Sequence, residues 1–120
     1  IILDGAHNVD AFNRLIEFIK CIKKNKKVRL ILAISANKDK EKMLEMLDDS
    51  LIDELILTSF AYKRSDEAIN LFNMTNHSNK YLIENNDDII SIINKDDNLD
   101  TINIFSGSLY FVSELRKIFK

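Results

Sequence analysis

The sequence predicts an α/β fold: a Rossmann-like three-layer sandwich, its mostly parallel sheet of five to six strands carrying helices on both faces. Two observations predict this. Short apolar runs and longer stretches with helical spacing alternate five times along the 120 residues, with mostly short connections. One run, Val28 to Ile34, is apolar apart from Arg29, as a strand buried on both faces requires. Right-handed crossovers then bring every strand-to-helix turn to one rim of the sheet. The length predicts a single domain over residues 1–120.

The elements follow in order. Ile1-Ile2-Leu3 is a short strand, ended by Asp4 and turned by Gly5, after which Asn8 can cap a helix. Phe12, Leu15, Ile16, Ile19 and Ile22 recur at helical spacing and predict a helix over 9–23. Cys21 falls on that helix among apolar neighbours and is read as packing. Lys23, Lys24, Lys26 and Lys27 crowd the helix end, where cations suit its dipole and solvate the terminus. After the second strand, Ser35 to Asp39 is a polar turn. Asp39 then caps a helix reaching Leu47, with Met43, Leu44 and Leu47 as its apolar stripe.

Leu51 to Thr58 supplies the third strand, and Ser65 caps a helix ending near Phe72. Asn73 to Lys80 is a polar connection in which His77 is expected to be solvated. Tyr81-Leu82-Ile83 is the fourth strand, and residues 87–93 form a helix with Ile89, Ile90 and Ile93 inward. Thr101 to Phe105 is the fifth strand. Ser106-Gly107-Ser108 is expected to turn from it into a last helix carrying Leu109, Val112, Leu115 and Phe119.

Composition narrows the function classes. Hydrophobic residues make up 46% and charged ones 30%, the balance of a water-soluble globular chain. A net charge of −2 gives no electrostatic footprint for nucleic acid or an anionic membrane surface. No apolar run approaches the roughly 18 residues of a membrane span. The lone Cys21 cannot form an internal disulfide, which fits a reducing cytoplasm, the expected location. The chain starts at Ile1 already inside a strand and is expected to be a monomeric piece excised from a longer protein.

The polar residues worth attention collect on the predicted rim: Asp4 and His7, Asn37 to Asp39, Ser59 to Arg64, and Ser106 to Ser108. Two readings of the first group stand side by side. Asp4 and Gly5 make a tight turn with His7 solvated, or they hold a carboxylate and an imidazole where open α/β sheets bind ligands. Free amides at helix N-termini on this rim favour anions, and Arg64 could grip a carboxylate or phosphate bidentately. No G-x-x-x-x-G-K-[ST] loop and no dinucleotide fingerprint occurs, and the chain has only two glycines. No Cys, His and acid set has zinc-site spacing, so no metal ligand is nominated. Neither Ser106 nor Ser108 sits in a nucleophile elbow, which argues against a hydrolase triad with His7.

The motif Asp4-Gly5-Ala6-His7-Asn8 resembles the signature opening the C-terminal domain of folylpolyglutamate synthase/dihydrofolate synthase, a relative of the Mur ligases. Ser106-Gly107-Ser108-Leu109-Tyr110, followed by Val112 and Glu114, is similar to that family's TGSLY-type segment. Ala36-Asn37-Lys38-Asp39 resembles its A-x-K-D turn, and Arg64 falls where an arginine follows the third strand. Val9 stands in place of the usual proline and Ser106 in place of threonine. Neither change removes a chemical group that the site needs.

The resemblance implies an ATP-dependent ligase that joins L-glutamate to a folate or dihydropteroate carboxyl through an acyl phosphate. ATP and Mg2+ would be held mainly by a preceding N-terminal ATPase domain, over which this domain closes. Asp4 and Asn8 would contact the nucleotide. His7 would lie near the phosphate and the glutamate in a catalytic role, with Ser106 and Ser108 also on the glutamate side. Arg64 would meet a glutamate carboxylate. A Mur-type ligase of cell-wall precursors, or a non-catalytic flavodoxin-like binding module, are the alternatives.

Overall fold

The strand β2, Lys27–Ala33, forms because its β-branched and leucine side chains can be buried on both faces at once. Every one of its residues from Val28 to Ala33 is buried. A computed structural model of the chain describes residues 2–3, 9–33, 40–58, 68–84, 88–89, 91 and 101–107. Around β2 stand β1 (Ile2–Leu3), β3 (Glu54–Leu57), β4 (Lys80–Leu82) and β5 (Thr101–Gly107). They make one five-stranded sheet in the order β1-β5-β2-β3-β4, and all four pairings are parallel.

The helices follow from the crossovers. The steps β1 to β2, β2 to β3 and β3 to β4 all run the same way across the sheet. Right-handed connections therefore put α1 (Val9–Lys23), α2 (Lys40–Glu45) and α3 (Ala68–Met74) on one face. Phe12, Leu15, Ile16 and Ile19 of α1, Met43 and Leu44 of α2 and Leu71 of α3 pack there on Leu30, Leu32, Leu55, Leu57 and Ile104. The step from β4 back to β5 runs the other way. Asp88, Ile89 and Ser91 are helical, and Ile89 packs on the opposite face with Ile31, Ala33, Ile56 and Phe105. Alternate residues of β2 thus serve two separate cores, as the two-residue period of a strand demands.

The helix over 9–23 stands as the spacing predicts, but Cys21 is exposed rather than packed. Cys21 lies two residues past the inward Ile19, about 200° round the helix. Helix α2 stops at Glu45, with Leu47 buried just beyond it. Strand β3 is shorter than its apolar run. Leu51 and Ile52 are buried before the strand starts, in a turn whose amides both donate to the Asp48 carbonyl. The expected caps Asn8, Asp39 and Ser65 and the last helix after Ser108 lie outside the described residues.

The amino ends of the strands are tied by ions. Arg29 sits in register with Glu54 on one side and Asn103 on the other. Its Nε donates to Glu54 Oε2 at 2.7 Å and its Nη1 to Asn103 Oδ1 at 3.3 Å. That pairing lets a guanidinium occupy an otherwise apolar buried strand. Lys23 is a tether as well as a solvated helix end. Its Nζ donates to Asp53 Oδ2 at 2.8 Å and to the Leu51 and Ser50 carbonyls. Lys24, at φ 45°, takes the left-handed turn that ends α1.

His77 is buried, not solvated. Its Nε2 lies 2.7 Å from the Ile52 carbonyl, and its Nδ1 accepts the Asn79 amide at 3.1 Å. One nitrogen must donate and the other accept, which sets the Nε2–H tautomer. The loop after α3 tucks beneath β3, and the imidazole occupies two backbone groups that the sheet leaves over.

Candidate functional site

Because every strand is parallel, all five carboxyl ends reach one rim. The register shows how level they are: Leu82, Leu57, Leu32 and Ser106 form one row across four strands. Leu3 lies one row lower, opposite Phe105. Open α/β sheets bind ligands at the edge where their strands' carboxyl ends meet, so this rim is the candidate site.

Of the nominated side chains, Ser106 is described. It is not in a turn. The ladder between β2 and β5 runs on through Leu32–Ser106 and Ala33–Gly107, so Ser106 is a strand residue on the row just defined. Its side chain is fully buried, and its Oγ has no hydrogen-bond partner. Since Ile104 faces the core beneath α1, alternation puts Ser106 on that same face. Asp4, His7, Asn8, Arg64 and Ser108 lie outside the described residues, as does the Ala36–Asp39 turn.

A second buried hydroxyl without a partner went unnoticed in the sequence, on the other face of the sheet, since alternation puts Thr58 with Ile56 in the opposite core. Thr58 follows the last residue of β3 and donates its amide to the Leu32 carbonyl at 3.0 Å. It too is fully buried, with Oγ1 unpartnered. The signal was there to read: a threonine closes an apolar strand where valine would pack without a polar group. A buried hydroxyl left without a partner costs about 1–3 kcal/mol. Thr58 and Ser106 are the buried side-chain polar atoms without a partner among the described residues, and both stand at the carboxyl rim.

The wall beneath them is apolar. Ile31, Leu32, Ala33, Leu57 and Phe105 are all inaccessible to solvent. A polar group meeting either hydroxyl would do so at low local dielectric, where hydrogen bonds are stronger than in water. Among the described residues no group of three or more His, Cys, Asp or Glu could hold a metal ion, so no described set fits a divalent cation. No described helix is long and apolar enough to cross a membrane.

Among the described residues, the acids with shifted ionisation, Asp48, Asp49 and Asp53, sit at the opposite rim. Burial pushes the Asp53 carboxyl up, but hydrogen bonds from Lys23 and the Val28 amide and the charges of Lys23 and Lys27 outweigh it, leaving it below the ordinary range. Asp48 and Asp49 are lowered by hydrogen bonds from Ser50 and Ser78 respectively. These bonds fasten the loops before β3 and β4. An open groove between α2 and the loop after α3 is lined by Glu41, Glu45, Met74, Asn76 and His77 among others. Its one imidazole has both nitrogens engaged by the backbone, so the groove offers no free base.

The family described as Mur ligase, glutamate ligase domain, matches residues 1–109. Over all 120 residues the chain is 30% identical to the dihydrofolate synthase/folylpolyglutamate synthase of Bacillus subtilis, spanning 28% of that protein's length. Its fold is similar to Escherichia coli FolC in complex with DHPP and ADP, with a TM-score of 0.83 at 21% identity, covering 97% of this chain and 27% of that one. It is equally similar to the bifunctional folylpolyglutamate synthase/dihydrofolate synthase of Yersinia pestis complexed with AMPPNP and Mn ion. There the TM-score is 0.83 at 20% identity, over 98% of this chain and 28% of that one. At these identities the two structures speak for the fold, and the match over 1–109 speaks for descent. The chain belongs to the Mur ligase family, as one of its glutamate ligase domains.

Proposed function

We propose that this chain is the C-terminal domain of an ATP-dependent folate ligase that joins L-glutamate to a folate or dihydropteroate carboxyl. The observation that carries the reading is the 30% identity to the Bacillus subtilis dihydrofolate synthase/folylpolyglutamate synthase, which runs the full 120 residues and so includes both rim motifs. The parallel sheet supports it, because β1 and β5, the strands from which those distant motifs continue, lie side by side and end at one edge. The nucleotides and Mn in the related structures support the use of ATP with a divalent cation, here taken as Mg2+.

In this reading ATP converts the folate carboxyl to an acyl phosphate, which the glutamate amine attacks. The Asp4 carboxylate accepts hydrogen bonds from ribose hydroxyls, with Asn8 beside it. His7 stands between the phosphate and the amino acid. Ser106, Ser108 and Arg64 hold glutamate by its polar groups. The triphosphate and Mg2+ are held by an N-terminal domain of the same protein. This chain supplies the opposite wall of the cleft and excludes water that would hydrolyse the acyl phosphate.

Steady-state kinetics of the full-length protein test the assignment. Asp4→Ala should raise the KM for ATP about 10- to 100-fold, the loss of a charge-assisted hydrogen bond, with the fold intact. The 120 residues alone should release no ADP above background, because one wall cannot align carboxyl, phosphate and amine. Unchanged ATP kinetics in a folded Asp4→Ala protein would remove Asp4 from the nucleotide site.

A further inference from the structure

We draw no further inference here: the strongest candidate, the open groove between α2 and the loop after α3, rests on the exposed carboxylates of Glu41 and Glu45 alone, its His77 being engaged at both ring nitrogens, and nothing in the structure shows what would occupy it.

Discussion

Leu32 of β2 stands in register with Ser106 of β5, so a core leucine and a buried, unpaired hydroxyl share one row at the carboxyl rim. The leucine explains the stability of that row and the serine does not. Ser106→Ala should therefore leave stability within about 1 kcal/mol of wild type, or raise it, because no internal hydrogen bond is lost. In the full-length protein the same change should raise the KM for glutamate more than the KM for ATP. Urea unfolding and paired substrate titrations check the two halves separately; a large loss of stability would show Ser106 to be a structural bond.

That row also marks what the sequence could and could not reveal. Helix α1 was legible to its ends because Phe12, Leu15, Ile16 and Ile19 repeat a period set by the helix itself. The end of β5 was not, since the apolar run stops at Phe105 while the ladder continues through Ser106 and Gly107. A strand's end is decided by its neighbour, and the neighbour β2 lies about 75 residues away in sequence. Thr58 stayed hidden for the same reason: its burial comes from the packed sheet, not from its local pattern.

His77 illustrates the other kind of miss. Its surroundings in sequence, Asn76, Ser78 and Asn79, suggest a solvated loop, yet its ring bridges the Ile52 carbonyl and the Asn79 amide. His77→Ala should strand both groups and destabilise the fold by about 2–3 kcal/mol. Chemical denaturation of the variant measures this, and a change within about 0.5 kcal/mol would mean that water replaces the imidazole without loss.

Acid should loosen the amino rim first. Asp53 is held below the ordinary aspartate range by Lys23 and the Val28 amide, which outweigh its burial. A carboxyl lowered in the folded state binds fewer protons than in the unfolded chain. Its stabilising contribution is complete above the ordinary aspartate pKa of about 4 and is lost as pH falls through the lowered folded value. Asp53→Asn should therefore flatten the acid limb of a stability-against-pH curve. A variant that keeps the wild-type slope there would place the titrating group elsewhere.

The central claim is that this family domain serves a ligase for folates. The most direct measurement is the mass of the product formed by the full-length protein from ATP, Mg2+, L-glutamate and a reduced folate or dihydropteroate. The account predicts a folate product heavier by one glutamyl residue, one ADP released per bond formed, and no product when glutamate is omitted. A protein that leaves every folate unmodified but adds an amino acid to a cell-wall precursor, or that forms no amide at all, would contradict it.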